Sequence, residues 1–380
     1  MRVSIDCRYI RERPSGIGGY LRALIDRIPA LAPGDHFHLW VDPRAARPLT
    51  PFPNASESIV RAQANSLPTL LWPARIAPID NADVLHAPFN ILGRGVRCAS
   101  VVTVHDLIWM LDPLAAEGLS LLTPVQIPFY RDGIRRALQR AARIVAISRA
   151  TADSIASVLP SARPRIRVIP HGIDARFRPA ESPERAREAA ARILGRDAPY
   201  FLVIGQNAPF KNHEQVLDAF AASGLSSSAL LVLVQRLYGG GRLRRRASRL
   251  GIEGSIVWMS AVSEEHVVTL LQGALALVQF SRYEGFGMPV AEAMACGTPV
   301  LASDIPALSE VLGGAGLLAA LDPSALAPLL RRVAGEPGLR EDLAGRGLER
   351  ARDFSWDRSA AAHLEAYREA AEVGPASEQR

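Results

Sequence analysis

Glu284 and Glu292 stand on either side of a short glycine-bearing stretch, Gly285-Phe286-Gly287-Met288-Pro289-Val290, whose chemistry follows from residue types. A strand should end near Phe280, a loop should carry Glu284, and Pro289 suits the first turn of a helix that Gly297 terminates. Backbone N–H groups at Gly287, Met288 and Val290 would then leave a helix N-terminus with the positive end of its dipole behind them. Such a cradle fits an anion such as a diphosphate. Carboxylates beside it would repel phosphate, so Glu284 and Glu292 are better matched to sugar hydroxyls, and sugar with phosphate points to a nucleotide sugar.

Residue identity removes several competing chemistries. Lys211, between Phe210 and Asn212, is the only lysine of the chain, so no G-x-x-x-x-G-K-[ST] phosphate loop exists. Gly16-Ile17-Gly18-Gly19 offers G-x-G, but Leu21 breaks the pattern that a dinucleotide loop requires. His105-Asp106 has no G-x-S-x-G elbow for company, and no D-x-D pair is present to hold a divalent metal on a diphosphate. Cys7, Cys98 and Cys296 are odd in number and scattered, against a zinc site or a disulfide framework. Neither a metal nor a cofactor is expected.

Groups so far apart in sequence need a scaffold that gathers loops. Short apolar, β-branched windows recur at 3–5, 37–41, 84–86, 101–104, 144–147 and 166–169, then at 201–204, 230–234, 256–259, 275–280 and 299–302, with helical patterns between them. That alternation means α/β architecture with parallel sheets covered on both faces, and 380 residues suffice for two such doubly wound, Rossmann-like domains. Residues 170–199, rich in Pro, Arg and Glu, read as the hinge plus one helix. Ligands of such sheets bind at the carboxyl ends of the strands, and two facing domains would place that crevice between them.

No apolar run reaches the ~18 residues that span a bilayer, and the N-terminus meets charge at once, so a cytoplasmic location is expected. The net charge of +6 is carried almost wholly by arginine. Arg242, Arg245, Arg246 and Arg249 form one stripe of a helix opposite Leu243, Ala247 and Leu250, which is either an ordinary solvated face or a weak attraction toward an anionic substrate or the inner face of an anionic membrane. No aromatic residues interleave with these arginines, so nucleic acid is not an expected partner.

The chain resembles the retaining glycosyltransferases of family 4 (glycosyl transferases group 1), which have the GT-B fold. The resemblance covers nearly the whole sequence, and the E-x7-E segment from Glu284 to Glu292 is its most specific part. Weaker matches in the family's order are Gly16-Ile17-Gly18-Gly19-Tyr20, Val102-Thr103-Val104-His105-Asp106, Ile144-Val145-Ala146-Ile147-Ser148, Ile169-Pro170-His171-Gly172-Ile173-Asp174, and Gly205 through Lys211-Asn212. The resemblance implies an acceptor-side domain over 1–175, a nucleotide-sugar domain over 176–355, and a last helix in 356–380 that crosses back onto the first. It implies that Gly18 and Gly19 approach the donor diphosphate and that His105 sits beside the transferred sugar. Lys211 would neutralise the diphosphate, Glu284 would hold sugar hydroxyls through the turn Gly285 to Gly287, and Glu292 would hold the ribose. Gly205, Gln206, Phe286, Met288, Pro289 and Val290 would complete the donor site.

The family usually sets a second cation, an arginine, directly after that first glycine or just before the lysine; here those positions are Gln206 and Phe210. Arg236, Arg149, or neutral donors on Gln206 and Asn207 are the candidates for its place. The implied reaction is metal-free hexosyl transfer with retention, from GDP-mannose or UDP-glucose to a glycan or lipid-linked glycan in polysaccharide or O-antigen assembly. Alternatives are a catalytically silent nucleotide-sugar-binding protein and a GT-B phosphorylase or epimerase. Structural readings compete at single positions: Gly16, Gly18 and Gly19 could simply make a turn, Glu310 could be a surface residue, and Ala87-Pro88-Phe89-Asn90 and Trp109 could line the acceptor side.

Overall fold

The computed structural model of the chain describes every residue except 12–14, 78, 80, 118–122, 236–240, 261 and 376–380. Its first sheet takes β1 (Arg2–Asp6), β2 (His36–Val41), β3 (Ala55–Ile59), β4 (Val84–Ala87), β5 (Ala99–Val104), β6 (Arg143–Ala146) and β7 (Ile166–Val168). They are all parallel, in the order β3-β2-β1-β4-β5-β6-β7. The second sheet takes β8 (Tyr200–Ile204), β9 (Leu230–Val234), β10 (Ile256–Met259), β11 (Ala276–Gln279), β12 (Val300–Ser303) and β13 (Leu317–Ala319), again parallel, in the order β10-β9-β8-β11-β12-β13. Central strands such as β5 and β12 are buried along their whole length, as parallel strands covered on both faces must be. Each sheet runs outward from its first strand, then reverses: the reversal lies between β1 and β4 in one and between β8 and β11 in the other. Such a switch point opens a crevice at the carboxyl ends of the two strands.

The windows expected from sequence match these strands except at two edges. β3 is a half-buried Ala-Ser-Glu-Ser-Ile segment with little apolar signal, and β13 is three residues long behind Gly313, Gly314 and Gly316. The expected helix of the 170–199 stretch is Pro183–Leu194, with Ser182 capping its N-terminus and Gly195 in the left-handed conformation closing it.

The chain divides into two compact units, residues 1–114, 119–172 and 355–380 in one and 115–118 with 173–354 in the other. In the first, helix Trp356–Val373 lays Ala360, Ala366 and Ala370 into the core, and Glu369 takes Arg143 and Arg167 from β6 and β7. Small residues on that face let the helix approach closely. Gly172 marks the place: a Cβ there would lie 2.1 Å from the Trp356 backbone nitrogen, so no other residue fits. In the second unit, the arginine-rich helix Gly241–Arg249 buries Leu243 and Ala247, while Arg242 pairs with Glu214, Arg246 with Asp218, and Arg244 stacks on Trp258. Much of its charge is therefore met within its own unit. No described helix is long and apolar enough to cross a membrane.

Candidate active site

In the second unit the site grows from the switch point. The loop after β8 leaves through Gly205 (φ 154°), makes one turn over Pro209–Lys211, and ends on Asn212, whose left-handed φ of 59° starts helix His213–Ser223. Asn212 holds that conformation by donating Nδ2 to the Phe280 carbonyl at the end of β11, and Arg282 N–H donates to the Phe210 carbonyl at 2.7 Å. These cross-links tie the loop after β8 to the loop after β11. Lys211 Nζ consequently lies 2.7 Å from Glu284 Oε1, and the Lys211 stem covers Gly205. The same oxygen accepts from Gln279 Nε2 (2.6 Å) and Ser281 Oγ (2.7 Å), so three donors converge on Oε1. Lys211 Nζ, with three N–H bonds, keeps two for another acceptor.

Beyond Glu284, Phe286 is buried edge-on against Phe354, and Gly287 (φ 97°) is the N-cap of helix Met288–Ala295, where a Cβ would strike Leu308 at 2.6 Å. Pro289 sits in the first turn as expected. Val290 does not fill its expected role. Its N–H donates to the Gly287 carbonyl at 2.9 Å because the first turn closes tightly, so Gly287 and Met288 remain as the backbone donors of the expected cradle. Glu292, one turn further, is pushed up to about 7 by burial first, then by Glu264 and Asp174, against the opposing pull of Arg176. Arg176 grips Asp174 through two bonds of 2.9 and 3.0 Å and also pairs with Glu264. Sequence reasoning passed over Arg176 and Glu264, which lie 116 and 28 residues from Glu292 and carry no local pattern.

In the first unit, Ser15 caps helix Gly16–Ile25 by accepting from Gly18 N–H at 3.0 Å. Gly18 is buried, and a Cβ on it would meet the Tyr9 carbonyl oxygen at 2.6 Å; Gly19 is exposed and a Cβ there would meet nothing within 4 Å. The two glycines therefore have different reasons to be glycine. His105 follows β5, its backbone N–H bonded to Asn90 Oδ1 and its Nε2 2.8 Å from the Pro88 carbonyl. A carbonyl only accepts, so Nε2 carries the proton. Burial drives the ring down to about 4, leaving it neutral with Nδ1 as its lone pair. Tyr20 packs edge-on against it at 5.2 Å, and His171 lies 5.4 Å away.

Behind Tyr20 runs a buried chain whose proton directions can be assigned. His363 Nδ1 lies 2.7 Å from the Ser359 carbonyl and must donate to it; with burial keeping the ring neutral, Nε2 accepts from Tyr20 O–H at 2.7 Å. Tyr20 then accepts from Thr103 Oγ1 (2.8 Å), Thr103 from His86 Nε2 (2.9 Å), and His86 Nδ1 from Tyr367 O–H (2.8 Å). Every member donates once, so helix Trp356–Val373 is fastened to β4, β5 and helix Gly16–Ile25 without a buried charge. Of the two arginines considered for the missing cation, Arg149 opens helix Arg149–Val158 in this unit, and Arg236 lies outside the described residues.

Residues 18–177 match the family described as Glycosyltransferase Family 4, and residues 185–350 match Glycosyl transferases group 1. Among curated relatives, the D-inositol 3-phosphate glycosyltransferase of Acidothermus cellulolyticus is 30% identical over 321 residues, 78% of this chain and 70% of that protein. The enzyme of the same name from Actinosynnema mirum is 31% identical over 63% of this chain, a match spanning 60% of its own length. The O-antigen chain mannosyltransferase B of Escherichia coli is 34% identical over 44% of this chain and 45% of that protein. Of solved structures, sucrose-phosphate synthase from Thermosynechococcus elongatus shares the fold with a TM-score of 0.73 at 19% identity, covering 98% of this chain and 99% of that one. Anabaena HepE, solved in complex with UDP-glucose, shares it with a TM-score of 0.70 at 15% identity, covering 96% and 99%. Two parallel-sheet units with a lysine and a glutamate meeting at a switch point, together with both family matches in order along the sequence, lead to one assignment: the chain belongs to the group 1, family 4 glycosyltransferases of GT-B fold.

Proposed function

We propose that the protein is a retaining, metal-independent hexosyltransferase that uses a nucleoside diphosphate sugar and delivers the hexose to a glycan or lipid-linked glycan. The observation that carries this reading is the meeting of Lys211 and Glu284 at the carboxyl ends of neighbouring strands β8 and β11. Lys211 offers its two remaining N–H bonds to the departing diphosphate, where negative charge grows as the glycosidic bond breaks. Glu284 is held by its Oε1, so its other oxygen is fixed for a sugar hydroxyl. Neutral His105 contributes a dipole instead of a charge beside the sugar. Substitution occurs on the face of the leaving group, whose phosphate oxygen takes the acceptor's proton, and no carboxylate nucleophile is required. The absence of any D-x-D pair in the sequence supports transfer without a divalent metal.

Mannose from GDP-mannose and glucose from UDP-glucose are the donors we favour, the first by similarity to the E. coli mannosyltransferase and the second by the UDP-glucose bound to HepE. The protein acts in the cytoplasm, meeting a lipid-linked acceptor at the inner face of the membrane. The test is nucleotide release from a panel of UDP-, GDP- and ADP-sugars, with and without EDTA. One donor should be turned over in both conditions. Release from none of them would overturn the transferase reading, and release that EDTA abolishes and manganese restores would overturn the metal-free one.

A further inference from the structure

The loop after β4 breaks register with the sheet where it meets His105. β4 pairs with β5 from Val84 and Ala99 to Ala87 and Val102, a count that would set Phe89 opposite Val104. Asn90 stands there instead. Its N–H donates to the Thr103 carbonyl at 2.9 Å, and its side-chain Oδ1 accepts the His105 backbone N–H at 2.8 Å. In a parallel ladder a residue donates to the residue before the one it faces and accepts from the residue after it. Asn90 makes both bonds, with a side-chain oxygen in place of its own carbonyl. One extra residue is thereby taken up in the stretch 88–89, as in a bulge, and the Pro88 carbonyl meets the His105 ring at 2.8 Å from Nε2.

Asn90 keeps this place at a cost to stability. Its φ of 43° lies in the left-handed region that glycine enters freely, the residue is 1% exposed, and its Nδ2 has no hydrogen-bond acceptor among the described residues. A glycine would suit the backbone and bury no unpaired amide; what it lacks is the oxygen for His105. Strained backbone and unpaired buried donors persist mostly where a site uses them. The result at His105 is a side chain held at both ends. Its backbone nitrogen and its far ring nitrogen are bonded to one three-residue turn, 88–90, while Tyr20 at 5.2 Å and His171 at 5.4 Å pack against the ring.

We propose that Asn90 is the positioning residue of His105, fixing the imidazole in one rotamer and one tautomer so that the dipole of the neutral ring has a set direction beside the transferred sugar. This rests on the transferase reading above and deepens it, by naming what orients the group which that reading places at the sugar.

Two variants separate orientation from folding. Asn90→Gly keeps the positive φ and removes the oxygen, whereas Asn90→Asp keeps an oxygen on a residue that also tolerates that φ. In nitrogen-labelled protein, the ring Nε2–H resonance of His105 is identified as the one missing from His105→Asn. It should be seen in the parent and in Asn90→Asp, protected from solvent exchange by the Pro88 carbonyl, and should exchange away in Asn90→Gly. Asn90→Gly should melt within about two degrees of the parent. It should nevertheless lose about tenfold or more in kcat, with the donor KM within about twofold, measured with whichever donor the nucleotide-release panel selects. Asn90→Asp should recover most of that rate. A parental kcat or an unchanged ring resonance in Asn90→Gly would leave Asn90 a turn residue only, and a loss that Asn90→Asp fails to recover would assign the effect to the turn; each of these results overturns the inference. Failure of the transferase reading is seen separately, as absence of nucleotide release from every donor, while the ring resonance still reports on the orientation of His105.

Discussion

Lys211 Nζ and Glu284 Oε1 lie 2.7 Å apart, and both side chains are about nine-tenths buried, so each group orients the other before any donor arrives. Preorganisation of this kind is what electrostatic catalysis requires, because the charge need not be gathered at the moment of bond cleavage. It also couples activity to stability, since removing one member leaves the other as a buried, unpaired charge.

For Lys211 both consequences are measurable. Lys211→Ala should lose about 100-fold in single-turnover rate, or ~3 kcal/mol of transition-state stabilisation. Lys211→Arg should recover only part, because a planar guanidinium cannot follow the diphosphate from a space bounded by Gly205 and Phe210. Lys211→Ala should also melt earlier, and the double change with Glu284→Gln should regain melting temperature without regaining rate. Near-parental turnover for Lys211→Ala would remove the lysine from the mechanism.

Glu292 gives a pH dependence with a definite sign. Its carboxyl titrates at about 7 because burial and the neighbours Glu264 and Asp174 outweigh Arg176. A ribose diol is best held by the ionised form, so donor affinity should fall as pH drops from 8 to 6, by up to about tenfold. Glu292→Gln should bind more weakly at pH 8 and lose that pH response. Isothermal titration of the donor's nucleotide at several pH values checks this, and a parental response in Glu292→Gln would place the ribose elsewhere.

The fold was legible because parallel strands buried on both faces write themselves as apolar runs; of the two edge strands that escaped, Ala55–Ile59 carries little apolar signal, and Leu317–Ala319 is apolar but only three residues long. The loop from Glu284 to Pro289 was legible because Gly287, at φ 97°, and Pro289, in the first turn of the helix, each have a local conformational reason. Val290 was misread because a first-turn N–H can close onto Gly287 instead of pointing outward. The Lys211–Glu284 contact, the arginine at position 176 and the chain from Tyr367 to Ser359 all depend on which loops the sheet brings together. Sequence spacing carries none of that.

Gly18 and Gly19 separate a packing demand from a ligand demand. Gly18→Ala forces a Cβ to 2.6 Å from the Tyr9 carbonyl and should lower the melting temperature by several degrees, whatever the ligand does. Gly19→Ala meets no protein atom and should fold as the parent does, yet if the donor diphosphate comes close to this turn, its KM should rise at least fivefold. Equal donor KM in Gly19→Ala and parent would confine the glycine pair to a structural role.

Acid should unfasten the first unit, and the sign follows from the buried histidines. His86 and His171 are held well below their ordinary value by burial, and His105 and His363 are lowered to about 4 by the same cause. The unfolded chain therefore takes up protons from about pH 6.5 downward that the folded chain refuses, and stability falls as pH drops from 6.5 toward 4. His363, fully buried, accounts alone for about 2 to 3 kcal/mol between pH 7 and 4.5. Glu292 acts in the opposite direction but is a single group against several. The connectivity explains why protonation is costly: His363 Nε2 accepts from Tyr20, so a proton there sets two donors face to face and reverses the whole chain through Thr103 to His86. Tyr20→Phe removes that bond outright, leaving Thr103 without its acceptor, and should cost about 1–3 kcal/mol at pH 7. It should also shrink the loss of stability between pH 7 and pH 5, because the lone pair of His363 can then take a proton without a clash. Urea unfolding of parent and Tyr20→Phe at the two pH values measures both quantities. An unchanged pH dependence in the variant would show that the histidines resist protonation through burial alone, and that the ordered chain of donors adds nothing.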